Sequence, residues 1–346
     1  MVRRGSHPRL SVILVVEGSP SYAMRALESI QNQDLYDLQI VVVCRDVAPG
    51  VRHSLEVAAG RDIHIDLIDV EDAARGACLR AGFAASRGSQ IIAMNADEWF
   101  APQSLSKMVD TACDAAADIV FPTVSLDRYD AHRERHSCVL DATPLAIEDH
   151  SSMARELAQL IPNGLIAQTS GVMYSRSLFD ACLSHDKTYR TVGFMACALS
   201  RAQRVSGCGD ARFHAVAPKL TEVFDPTMFA RLSDDVRALD ELTGSLAEAG
   251  DGGQLKVVSQ KFYFAGLVAC IENLCLSPHG VSSIERSARM RDMLEAPRTR
   301  QMVAALKDDH RGLGLLFGPI ASARPTRCVM CTHLAAFLNR TGAKTA

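Results

Sequence analysis

Apolar and polar positions along this chain fall into two periods. Residues 10–16, "LSVILVV", are apolar and β-branched without alternation, which predicts a strand covered on both faces. "LQIVVVCRD" (38–46) and "SQIIAMNADEW" (89–99) predict two more buried strands, and "DIVFPTVSL" (118–126) a further strand. "IHIDLIDV" (63–70) alternates and predicts a more exposed strand. Helical spacing lies between them. Ala23, Leu27 and Ile30 share one face of "SPSYAMRALESIQNQ", with Ser19 placed to cap and Pro20 at the first helical position. "EDAARGACLRAGFAAS" (71–86) predicts a helix, and "APQSLSKMVDTACDAAA" (101–117) another, started by Pro102. "SGVMYSRSLFDACL" (170–183) predicts a strand and a helix start, and "VGFMACALSRAQRV" (192–205) a helix.

Strands alternating with helices imply βαβ units and a layered α/β domain. Ligands in such sheets sit beyond the carboxyl ends of the strands. The segments facing a ligand are then Val15–Gly18, Cys44–Val47 and Asn95–Trp99. Residues 127–165 are polar and weakly patterned, an excursion with one helix, "SSMARELAQLI". From about Pro226 the strand signal fades into amphipathic helices: 228–249, 254–276, 282–296 and 328–340. The expected organisation is an N-terminal tail over 1–9, an α/β domain over 10–222 and a helical region over 223–346.

Composition narrows the function classes. The net charge is −3 with no basic block, which excludes a nucleic-acid footprint. No stretch approaches the roughly 20 apolar residues of a membrane span. "MVRRGSHPRLSVILVV" imitates a secretory leader, but the apolar part stops at Glu17 and a first strand is the reading adopted. The 11 cysteines are scattered and odd in number, with several inside apolar runs. They point to a reducing compartment, hence the cytoplasm, with peripheral contact at the inner face of the membrane left open. The pattern does not encode an oligomeric state.

"LSVILVV", "RALESIQNQ", "LQIVVV" and "AGFAASRGSQIIAMNADEW", in that order and spacing, resemble the family 2 glycosyltransferases of the GT-A fold. That family opens with a strand like SVIIPVYN and a helix ending L-x-S-I-x-x-Q, matched here by Leu27, Ser29, Ile30 and Gln33. A second strand ends in DDGS, a helix carries RN-x-G, and a strand ends in D-x-D-D-W. The resemblance implies a GT-A mixed sheet flanked by helices, followed by a helical C-terminal region. It implies a nucleotide-sugar donor, a glycan or envelope acceptor and a divalent cation, Mg²⁺ or Mn²⁺. Carried over by position, the donor site includes Val15, Glu17, Arg45, Asp46, Arg80, Asn95 and Asp97. The cation would be held by Asp97, with Glu98 and the late His214 as further ligands.

The framework is kept while the chemical positions change. The family's paired acids after the second strand become Cys44-Arg45. The Asn of RN-x-G becomes Arg80, although Gly82 is retained. The first acid of D-x-D becomes Asn95. Where the family often has Glu-Asp, with the Asp as base, Thr191-Val192 stand, leaving Asp186 just upstream as the candidate base. Departure of a nucleoside diphosphate needs its charge neutralised, usually by a cation on one or two carboxylates plus the phosphates. Alternation sends Asp97 and Glu98 to opposite sides, so one of them faces the ligand. Against this, "NADEW" also suits a cap before a Pro-started helix. Arg45 and Arg80 suit phosphate or a neighbouring acid such as Glu17 or Asp46. A catalytically silent relative, kept as a binding or scaffolding module, is the alternative that the lost acids raise. "CVMCTH" (328–333) lacks the second ligand pair of a zinc site and reads as the packing face of a helix.

Overall fold

The computed structural model describes residues 7–18, 22–71, 75–129, 135–143, 145–185, 191–216, 224–247, 252–277, 281–309 and 312–340. The chain divides into two compact units, Met1–Ala217 and Pro218–Ala346. The boundary expected at 222 falls among residues outside the described ones.

The first unit runs β1 (Leu10–Glu17), α1 (Ala23–Gln31), β2 (Leu38–Arg45), α2 (Pro49–Arg61), β3 (Ile65–Asp69), α3 (Arg75–Ala85) and β4 (Gln90–Asn95). It continues with β5 (Trp99–Phe100), α4 (Ser104–Asp114), β6 (Ile119–Tyr129), β7 (Arg135–Leu140), β8 (Ala146–Ile147) and α5 (His150–Leu160). β9 (Met173–Ser175), α6 (Arg176–His185), α7 (Thr191–Arg201) and β10 (Val205–Val216) complete it. Ten strands form one sheet in the order β3-β2-β1-β4-β9-β6-β10-β5, with β7 on β6 and β8 on β10. β1 pairs parallel to β2 and β4, and β2 to β3. β9 is antiparallel to both β4 and β6, while β10 is parallel to β6. β1 is central, which is why its run is apolar on both faces: Leu10 and Val12 to Val16 are all buried.

Two sequence features acquire a mechanical reason. The "S-I-x-x-Q" of α1 clasps the chain after β4. Ser29 Oγ accepts from the Phe100 N–H at 3.3 Å. Gln33 donates to the Ala101 carbonyl at 3.0 Å and accepts from the Leu105 N–H at 3.1 Å. Gly82 lets α3 lie against the sheet, because a Cβ there would meet Ile13 Cγ2 at 2.4 Å and Val43 Cγ2 at 3.0 Å.

Several expectations are corrected. α4 begins at Ser104 with Gln103 as its N-cap at φ 62°, not at Pro102. β5 separates it from Asn95 and Asp97, so neither caps it. The expected polar excursion over 127–165 contains the end of β6, its hairpin partner β7, β8 and α5. α5 is held by a capping box between Asp149 and Ser152. The proposed cap at Ser19-Pro20 lies outside the described residues.

The second unit is helical: α8 (Met228–Ala247), α9 (Gly252–Leu276), α10 (Ser283–Glu295), α11 (Pro297–Leu306), α12 (Phe317–Ala321) and α13 (Pro325–Arg340). α9 is apolar around its circumference and packs against α8, α10, α11 and α13, as a central helix must. Leu267, Cys270 and Ile271 are fully buried in that core, with Met290, Met302 and Cys328. Cys328 of "CVMCTH" is therefore core packing. No helix among the described residues is long and apolar enough to cross a membrane.

Candidate functional site

The parallel half of the sheet ends in a cluster of polar side chains. Glu17 and Arg45 are register partners at the tips of β1 and β2, and their side chains form an ion pair. That pair is the acid partnership expected as one alternative for Arg45. One carboxylate oxygen of Glu17, Oε1, is buried and makes no hydrogen bond among the described residues. Backbone bonds tie the two tips together: Gly18 N–H to the Arg45 carbonyl at 3.2 Å, and Ala48 N–H to the Gly18 carbonyl at 2.9 Å. Asp46 is exposed and adopts φ 47°, a left-handed conformation that short polar side chains tolerate best. Val15 differs from its expected place: it is 3% exposed, so its side chain is core packing rather than ligand surface. Burial pushes the Cys44 thiol up, with Arg52 pulling it back, so it is not an activated nucleophile.

β4 ends in a tight turn that separates the two acids. The Glu98 N–H donates to the Asn95 carbonyl at 3.2 Å, and Glu98 Oε2 accepts from the Asn95 N–H at 2.7 Å. Ser170 Oγ donates to the same carboxylate oxygen. Glu98 is thus buried inside the turn, and desolvation pushes its pKa up to about 7, against the pull of those two hydrogen bonds. As a cation ligand it is corrected: its carboxylate is buried and fastened to the turn that presents Asp97. Asp97 is exposed and, among the described residues, makes no hydrogen bond or ion pair. Asn95 Oδ1 accepts from Arg75 Nη1 at 2.6 Å. Arg75 is the first residue of α3, while Arg80 lies exposed farther along the helix.

A stacked group continues the edge from β4 to β10. Trp99 and His214 are register partners of β5 and β10, their rings parallel with centroids 4.7 Å apart. The Arg25 guanidinium lies 3.7 Å from the Trp99 ring centre and 4.6 Å from that of Tyr22. His214 Nδ1 stands 3.4 Å from Asp127 Oδ2. Asp127 is fully buried, its other oxygen accepting from Ser125 at 3.2 Å and Ser137 at 2.5 Å. Such a carboxylate fixes the tautomer and orientation of an imidazole. Among the described residues no three His, Cys, Asp or Glu are grouped to hold a metal ion. The donor set that faces outward at β4 is the single carboxylate of Asp97, which suits Mg²⁺ or Mn²⁺ only when substrate phosphates supply most of the ligands. Thr191 and Val192 begin α7. Asp186 lies outside the described residues.

The sequence profile of glycosyl transferase family 2 matches residues 11–183, half of the chain. The chain belongs to this family. The putative glycosyltransferase EpsH of Bacillus subtilis (strain 168) is 29% identical over 107 residues, 31% of this chain and 31% of that protein. The chain therefore spans about a third of the curated relative it matches. Among solved structures, S. aureus TarS 1–349 superposes with a TM-score of 0.64 at 14% identity, covering 96% of this chain and 92% of that one. The same protein in complex with UDP-GlcNAc superposes at 0.58 and 13% identity, covering 98% and 93%. Likeness at this identity shows the fold, a GT-A mixed α/β sheet followed by a helical C-terminal region.

For this family 2 member, sequence reasoning missed Arg25, Arg75, Asp127 and Ser170. One signal was available. Thr123, Ser125 and Asp127 recur at every second position of an otherwise apolar strand, and all three are buried. Three polar residues on one face of a core strand announce a buried polar network.

Proposed function

We propose that the chain transfers a sugar from a nucleotide-diphosphate donor to a glycan or envelope acceptor, and that residues 10–222 form the transferase domain. The observation that carries this reading is Asp97: an exposed carboxylate with no hydrogen bond or ion pair among the described residues, at the carboxyl edge of β4, in a family 2 GT-A fold. Glu98 and Ser170 hold the turn that presents it, and Arg75 holds Asn95 beside it. A bound Mg²⁺ or Mn²⁺ would neutralise the leaving diphosphate. Asp97 is the residue to hold it, together with the donor's own phosphates. Glu17 Oε1, which has no hydrogen-bond partner among the described residues, is an acceptor for a donor hydroxyl or N–H. Asp186 is the carboxylate assigned to take the acceptor's proton, since Thr191-Val192 cannot.

Calorimetry with UDP-, GDP-, CDP- and dTDP-sugars, with and without Mn²⁺, tests the reading. UDP-GlcNAc is the first donor to try, because a structural neighbour was solved with it. The expected outcome is Mn²⁺-dependent binding of one donor class, lost in Asp97→Ala. Absence of binding by every donor overturns it. A second reading, a silent relative that keeps the fold for binding or scaffolding, is favoured by Cys44 and Thr191-Val192 standing where the family has acids. It predicts donor binding without turnover, unchanged by Asp186→Asn.

A further inference from the structure

α13 carries apolar residues on its outer side as well as its inner one. Its inner side is buried through Cys328 and Thr332. The outer side of such a helix is ordinarily polar. Here Met330, Leu334 and Phe337 recur at spacings of four and three and are 71%, 49% and 61% exposed. Arg327 continues the same stripe one turn earlier and is exposed, as is Arg324. Neither arginine has an acidic partner among the described residues. Along this part of the chain the formal charges are of one sign. From His310 to Ala346 the chain has four Arg and one Lys and no Asp or Glu, in a protein whose net charge is −3.

Exposed bulky apolar side chains, with cations beside them that have no acidic partner among the described residues, match one kind of partner: a surface with an apolar interior beneath an anionic face. We propose that the α13 stripe seats this protein on an anionic lipid bilayer. Met330, Leu334 and Phe337 enter the acyl boundary while Arg324 and Arg327 meet the headgroup phosphates. The helix lies in the interface, and nothing spans the bilayer. This inference is independent of which sugar the first unit transfers, or whether it transfers one.

Flotation of the full chain with vesicles tests it. The wild type floats with phosphatidylcholine vesicles containing phosphatidylglycerol and not with phosphatidylcholine alone. Added salt weakens the association, because part of it is Coulombic. The triple variant Met330→Ser, Leu334→Ser, Phe337→Ser lowers the bound fraction at least about tenfold. Its melting temperature stays at or above the wild-type value, since the three side chains are exposed. Arg324→Gln with Arg327→Gln removes most of the salt dependence. Flotation equal on neutral and anionic vesicles, or unchanged in the triple variant, overturns the proposal. So does a wild-type dimer in sedimentation that the triple variant abolishes without any lipid binding, which assigns the stripe to a second copy of this chain.

Discussion

Glu98 shows how a residue can matter to a site without touching its ligand. Its carboxylate accepts the Asn95 N–H and the Ser170 hydroxyl, and burial raises its pKa from the ordinary 4.5 to about 7. The sign of the consequence is fixed by linkage. Between those values the native state holds a proton that the unfolded chain has released, so unfolding becomes easier as pH rises. The contribution is complete below the unfolded value and is lost as pH climbs through about 7. It is of the order of 3 kcal/mol for a shift of this size. Glu98→Gln keeps an acceptor for both donors and cannot ionise. Urea unfolding from pH 4.5 to 7.5 should show wild-type stability falling relative to the Gln variant, roughly along that interval. Parallel curves would contradict the buried, proton-holding role. Asp97 lies one position earlier and behaves oppositely: Asp97→Ala should leave stability within about 0.5 kcal/mol, as exposed substitutions do, while donor binding is lost.

At the scale of elements, α3 and α1 fix the site by different means. α3 is pressed onto the sheet through a position with no side chain, and Ile13 and Val43 occupy the space a Cβ would need. Gly82→Ala should therefore destabilise by about 1–3 kcal/mol despite its better helix propensity, seen as a lower urea midpoint with an unchanged slope. Gln33→Ala removes a donor and an acceptor from the backbone between β5 and α4 and should cost about 1–3 kcal/mol. The legibility of these elements follows from their packing. β1, β2 and β4 are continuous apolar runs because helices or strands cover them on all sides, and such runs announce themselves. α2 was silent because Leu55 is its only fully buried residue, leaving no periodic stripe to read. β10 was hidden by Gly207 and Gly209 and by a register shift between Cys208 and Arg212, which break the strand pattern. The helix α11 was missed behind Pro297, which opens it rather than ending α10. The acidic end of β4 was legible because a family pattern pointed there, and Asp97 stands exposed at it. The contacts of Arg25 with Trp99 and of Arg75 with Asn95 were illegible, because a long side chain's reach depends on the loop that aims its helix.

The whole molecule is two cores on one chain, and this makes a prediction that neither core makes alone. The second unit is built around α9, whose Leu267 is fully buried among Leu232, Met302 and their neighbours. Leu267→Ala removes buried methylenes and leaves a cavity, which costs about 2–5 kcal/mol in the unit that contains it. Stability need not be shared evenly between units that have their own cores. Hydrogen exchange resolved by peptide should then show protection falling across 228–340 while β1, β2 and β4 keep theirs. On the proposed donor role, a saturating nucleotide sugar with Mn²⁺ should raise protection in the first unit by mass action, in wild type and variant alike. Equal loss of protection in both units would mean that the chain unfolds as one cooperative body.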